Sequence, residues 1–194
     1  MQIRSVSFDT SFLLKDSPLV DTIIKQLSHD SIPCYITSTV VSELERLKIW
    51  GRITQSTYKL AIKRWKRTNS QIIDFKNRLL STTFGQECVL SMEKHHGVKR
   101  KDIENDCNIL VTTLKKGVDV FLSEDFHFTS KITKEVISEV INAACTEYHQ
   151  MCETNMFSVD SKTFLKAYSH GQINIDIVES NMKNIKKDTK RLKK

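Results

Sequence analysis

The chain has 194 residues, 39% of them apolar and 27% charged, enough for one hydrophobic core and a short appendage. No apolar run approaches the roughly 20 residues that span a bilayer, and the opening MQIRSVSFDT lacks the apolar stretch of a signal peptide, so membrane-embedded and secreted classes are not expected. The net charge of +7 is concentrated in the last 14 residues, with seven Lys/Arg and one Asp, leaving the body of the chain nearly neutral.

Residues 3–8 read as a buried strand, cut off by Asp9-Thr10-Ser11. Pro18 to about His29 reads as a helix, with Ser17 as N-cap and Pro18 at the first helical position. Cys34 to Thr37 is a short strand. Ser38 or Thr39 is then expected to cap a helix bearing Val40, Val41, Leu44 and Leu47 on one face. Thr54 to about Thr68 is a further helix with Tyr58, Ala61, Ile62 and Trp65 turned inward. Residues 71–75 form a candidate strand. A helix from about Gln86 to His96 stops at Gly97, and an amphipathic helix from Asp102 to Lys116 stops at Gly117. Val118 to Ser123 alternates as a strand does, Lys134 to about Tyr148 carries one apolar helical stripe, and Phe157–Val159 and Ser161–Tyr168 close the pattern as a strand and a short helix. Strands alternating with helices predict an α/β fold, three layers with a central parallel sheet.

Four acids stand where such a sheet gathers its chemistry, beyond the carboxyl ends of its strands. Asp9 follows the first strand, Glu43 lies early in the helix after the second, and Asp125 follows the strand at 118–123. Asp106 sits in the first turns of the helix leading into that strand. Asp102 competes with it. Helical geometry puts Asp106 roughly 80° from the apolar stripe, at the border of the core, and Asp102 roughly 125° away, where it would cap or support. Glu124 is chemically close to Asp125, and spacing alone does not choose between them. Carboxylates brought together repel unless a cation sits among them.

Taken together, these segments resemble the PIN domain family of metal-dependent ribonucleases, over roughly residues 1–170. Asp9-Thr10-Ser11-Phe12-Leu13 resembles the family's opening motif, and Val41-Ser42-Glu43-Leu44 its second-helix motif. Asn105-Asp106 followed by Cys107-Asn108-Ile109-Leu110 resembles the third acidic position. Ser123-Glu124-Asp125-Phe126-His127-Phe128 resembles the closing turn, which selects Asp125 over Glu124. The chain departs from the family at Val111, Thr112 and Thr113, where small alanines are usual.

The resemblance implies a Rossmann-like fold, a nuclease domain over 1–170 and a basic tail over 171–194. It implies hydrolysis of phosphodiester bonds in single-stranded RNA, with Asp9 and Asp106 as direct ligands of Mg²⁺ or Mn²⁺. Glu43 and Asp125 would complete the metal shell, and Thr10 and Ser123 would hold the carboxylates by hydrogen bonds. An inhibitor protein of the toxin–antitoxin kind and a homodimer are the protein partners it suggests. The alternative is a silent member of the fold that binds RNA or protein without turnover. No histidine or cysteine joins the four acids by spacing, which counts against zinc.

Basic residues offer RNA contacts at Lys59, Lys63, Arg64, Lys66 and Arg67 around Trp65, and at Lys94, Lys99, Arg100 and Lys101. Solvated helix surface is the competing explanation for both groups. Trp65 itself reads as core, and His95 and His96 as surface. Five cysteines, Cys34, Cys88, Cys107, Cys145 and Cys152, are widely spaced and odd in number, which predicts reduced thiols and a cytoplasmic protein.

Overall fold

In the computed structural model, residues 1–75, 79–147 and 155–182 are described. Five parallel strands, β1 (Val6–Phe8), β2 (Cys34–Thr37), β3 (Gln71–Ile73), β4 (Val120–Leu122) and β5 (Phe157–Val159), form one sheet in the order β3-β2-β1-β4-β5. The chain builds outward from β1 to β3, then returns to place β4 on the other side of β1. That reversal opens a crevice at the carboxyl ends of β1 and β4, the usual ligand position in open parallel sheets. Phe8 lies opposite Ile36 on one side and Leu122 on the other. The next residues, Asp9, Thr37 and Ser123, therefore emerge at one level.

Helices cover both faces of the sheet, giving a three-layer α/β/α fold. After β1 come α1 (Thr10–Leu14) and α2 (Pro18–His29), and after β2 come α3 (Ser38–Ile49) and α4 (Gln55–Arg67). A turn of 3-10 helix at Leu79–Ser81 precedes α5 (Thr83–His96) and α6 (Arg100–Lys116). After β4 follow α7 (Phe126–Thr129) and α8 (Lys131–Glu147), and after β5 follows α9 (Ser161–Ala167). Helices α5, α6 and α8 pack together as one group, and α2, α4 and α9 as another. Phe8, Ile36, Phe121 and Leu122 in the sheet meet Ile23, Leu27, Phe84, Leu110 and Val140 from the helices, all fully buried. Each such side chain contributes roughly 1.5–3 kcal/mol.

Local chemistry sets most of the boundaries. Ser17 caps α2 by accepting from Leu19 N, with Pro18 at the first position. For α3 the cap is Thr37, the last residue of β2, whose Oγ1 accepts from Val40 N at 3.2 Å. The expected Ser38 or Thr39 is already helical, because strand passes to helix with no loop between. Gly117 ends α6 in a left-handed conformation, φ 73°, that an L side chain rarely adopts. Strands are shorter than the apolar runs that predicted them: residues 3–5 and 118–119 lie outside the ladder. There Arg4 N and the Arg4 guanidinium clasp the Asp119 carboxylate, at 2.6 Å and 2.7 Å.

Past residue 170 the chain is still folded. Strands β6 (Tyr168–Ser169) and β7 (Gln172–Ile173) form a hairpin, and α10 (Ile175–Asn181) packs on α9 with Val178 buried. The boundary expected at 170 is therefore corrected: Ile173 and Val178 bury apolar surface against the domain, and any tail begins later. The basic residues of that tail, from Lys183 onward, lie outside the described residues. No described helix is long and apolar enough to cross a membrane.

Cysteine usage is also corrected. Cys34, Cys88 and Cys107 are free and buried, but Cys145 is disulfide-bonded. An odd count permits one pair, so the thiols do not assign a compartment. Cys152 lies outside the described residues.

Candidate functional site

Asp9, Glu43, Asp106 and Asp125 line one cleft of about 470 Å³, together with Thr10, Ser11, Leu14, Arg46, Leu47, Trp50 and Asn105. Its floor is fixed by hydroxyl groups. Asp9 caps α1, and its Oδ2 accepts from Ser11 N at 3.3 Å, Ser11 Oγ at 2.5 Å and Ser123 Oγ at 2.8 Å. Thr10 Oγ1 donates to Glu43 Oε2 at 2.6 Å, and Asn105 Nδ2 donates to the other Glu43 oxygen at 2.9 Å. Ser123 Oγ accepts from Asp125 N at 3.0 Å, so one hydroxyl joins the turn after β4 to the carboxylate after β1.

Asp125 caps α7 and accepts from His127 N at 2.8 Å. The His127 ring faces both nearby acids, with Nδ1 3.5 Å from Asp106 Oδ2 and 3.7 Å from Asp125 Oδ1. Asp106, Asp125 and His127 each offer a ligand atom, and these atoms lie within 4.8 Å of one another, near the span of donors around one ion. A histidine therefore does stand at the acidic cluster, against the expectation from spacing. It is two residues past Asp125, and the turn of α7 folds it back, which the sequence pattern alone does not display.

Burial makes this cluster electrostatically costly. Asp9 is 4% exposed, and desolvation pushes its pKa up to about 6, against the pull of the Ser11 and Ser123 hydrogen bonds and with a further push from Glu43. Burial also raises Glu43, with Thr10 opposing and Asp106 adding to the rise. Asp106 is raised first by burial and then by Asp9 and Asp125, with His127 opposing. His127 moves the other way from a buried base: its hydrogen bond to Asp106 raises it above the usual imidazole value. Here, His127 serves as the partial counter-charge.

Several expected residues stand elsewhere. Glu124 turns away from the cleft, held by Lys15 Nζ at 2.6 Å and Ser161 N at 3.0 Å. Asp102 is exposed, does not line the cleft, and does not cap α6, whose N-cap is Lys99 with no side-chain capping bond. The helix starts two residues before Asp102, which carries that side chain past the capping position. Arg64 is no phosphate ligand: it is 2% exposed, and its Nη1 donates to Leu13 O at 2.8 Å and Lys15 O at 2.7 Å while Nε meets Asp21 at 2.9 Å. Lys59, Lys63, Lys66 and Arg67 are exposed. Lys94 and Arg100 pair with Glu139 and Glu104.

Trp65 packs against the core and donates Nε1–H to Ser70 O. His95 is not a surface residue: it is mostly buried between Glu135 and Glu139. His96 is half-buried, stands edge-on to His127, and is pushed down to about 4 by burial and by its histidine neighbours. Arg46 and Trp50, which the sequence pattern left without a role, form part of the cleft wall. Comparison of the chain with protein-family models, with curated proteins and with solved structures gave no match.

Proposed function

We propose that this protein is a divalent-metal-dependent endoribonuclease that hydrolyses phosphodiester bonds of single-stranded RNA. One observation carries the proposal: four carboxylates distant in sequence converge on a single cleft at the topological reversal of the sheet. Asp9, Glu43 and Asp106 are raised first by burial and then by a neighbouring carboxylate, a cost that a cation among them would relieve. The donor set suits a hard ion, since Asp9, Glu43, Asp106 and Asp125 all offer oxygen, which favours Mg²⁺ or Mn²⁺. The resemblance of the four segments to the PIN domain family points the same way.

Asp9 and Asp106 would hold the ion directly, with Glu43 and Asp125 completing the shell. A bound Mg²⁺ or Mn²⁺ would supply Lewis acidity and a water of lowered pKa beside the scissile phosphate. The chain's own part is orientation. Ser11 and Ser123 fix the Asp9 carboxylate, and Thr10 and Asn105 fix Glu43, so that their oxygens are set before substrate arrives. His127 partly offsets the burial that raises Asp106, through its hydrogen bond to that carboxylate.

The test is incubation with RNA and single-stranded DNA in Mg²⁺, in Mn²⁺ and in EDTA, with Asp106→Asn as control. Cleavage of RNA that requires metal and falls by about 10³-fold in the variant is the expected result, several kcal/mol of lost stabilisation. Cutting that survives EDTA, or a fully active Asp106→Asn protein, overturns the assignment. RNA binding without any cleavage favours the silent binding module instead.

A further inference from the structure

We propose that Trp50, flanked by Arg46 and Arg52, is a stacking platform for an unpaired nucleobase at the rim of the acidic cleft. This rests on the nuclease proposal and names the substrate form that the cleft selects, a strand with bases free of pairing.

Trp50 is 60% exposed, yet it lines the same cleft as the four acids. The Arg52 guanidinium lies over one face of the indole while the residue stays 60% exposed, so a base would stack on the opposite face. The backbone beneath it is fixed. Trp50 N donates to Arg46 O at 2.9 Å as the C-cap of α3, Gly51 follows at φ 64°, and Arg52 N and Ile53 N both return to Leu47 O. Gly51 supplies the left-handed turn that points the chain back and leaves the indole at the helix end.

Position and charge both favour nucleic acid. Glu43, Leu47 and Trp50 recur at helical spacing on one face, and Trp50 lies about 10 Å along the axis from Glu43. The metal floor and the aromatic rim are thus separated by a short stretch of extended strand. The floor is anionic and repels a bare phosphate chain, so cations are needed at the approach. Arg46 lines the wall beside Trp50, and the Arg52 guanidinium lies 5.4 Å from the indole centroid. An aromatic plane with arginines around it is the chemistry by which single strands are held without regard to sequence. The other tryptophan, Trp65, has spent its N–H on Ser70 and packs on the core.

The test is a fluorescence titration with a single-stranded RNA oligonucleotide, using Ca²⁺ in place of Mg²⁺ so that binding is read without turnover. Wild-type emission should be quenched. Trp50→Phe, which keeps only Trp65, should lose the quenching but retain most of the affinity. Trp50→Ala should weaken binding by about tenfold or more, and a duplex of the same sequence should give no quenching. In Mg²⁺, Trp50→Ala should raise KM with kcat held within about twofold.

Affinity in Trp50→Ala equal to wild type overturns the proposal. So does a dimer that Trp50→Ala converts to monomer, since Ile49 and Trp50 would then be an interface between copies. Quenching by RNA in a protein that never cuts would sink the nuclease assignment and leave the platform standing. A KM for RNA cleavage in Trp50→Ala equal to the wild-type value would sink the platform alone.

Discussion

Asp9 and Asp119 are buried to the same degree, 4% and 3% exposed, at opposite ends of neighbouring strands. Their surroundings differ. Asp119, at the amino end, has the Arg4 guanidinium and the Arg4 N–H on its two oxygens, a closed pair that needs nothing more. At the carboxyl end Asp9 has only hydroxyl and amide donors, and three further carboxylates share its cleft. One end of the sheet is electrostatically finished. The other is left in deficit, held in place by four separate elements, and the proposed cation would offset it.

The sharpest way to break the contrast is Asp9→Asn. Asparagine keeps an acceptor oxygen for Ser11 and Ser123 but cannot carry charge. Because the folded pKa of Asp9 is raised to about 6, its contribution is unpenalised in acid and becomes unfavourable as pH rises between roughly 4 and 6. The variant in EDTA should therefore be more stable than wild type at pH 7, by on the order of 3 kcal/mol, and should lose that pH dependence. Metal-dependent cleavage should vanish with it. Thermal melts across pH read the first effect, and a variant that melts lower than wild type at pH 7 would refute the deficit.

Asp119→Ala should do the reverse. Removing the carboxylate strips the Arg4 N–H and the largely exposed Arg4 guanidinium of their acceptor, so the melting temperature should fall while cleavage kinetics below the melt stay unchanged. Equal stability would show that the closed pair is not structural. The smallest effect is at His127. A cation among Asp106 and Asp125 opposes imidazolium, so Mg²⁺ should lower the His127 pKa, reversing the rise those carboxylates cause. An NMR titration of the ring in Mg²⁺ and in EDTA checks this, and coincident curves would place the ion elsewhere.

The two ends also differ in how plainly the sequence announces them. An acid directly after a strand, or early in the helix that follows, can be placed from topology, which marks Asp9 and Glu43; Asp106 needs the helical angle that separates it from Asp102, and Asp125 needs the family resemblance that separates it from Glu124. Gly97, Gly117 and Pro18 mark helix ends by backbone chemistry that works locally. What escaped depends on contacts between distant segments. Arg64 looks like one more charge on a basic helix, and only the carbonyls of Leu13 and Lys15 reveal it as an interior clamp. His127 and Trp50 acquire meaning from the cleft they border, and no periodicity records that. The hairpin β6–β7 and helix α10 were hidden because their apolar residues are few and their elements short.

The strand order has a consequence for synthesis. Val6 lies opposite Cys34 on one side and Val120 on the other, so the central strand cannot acquire its second neighbour until most of the chain exists. Asp9 and Glu43 leave the ribosome early, while Asp106 and Asp125 follow much later, and non-local parallel pairing is slow to form. A nascent chain still tethered to its own messenger therefore carries only half of the acids that line the finished cleft.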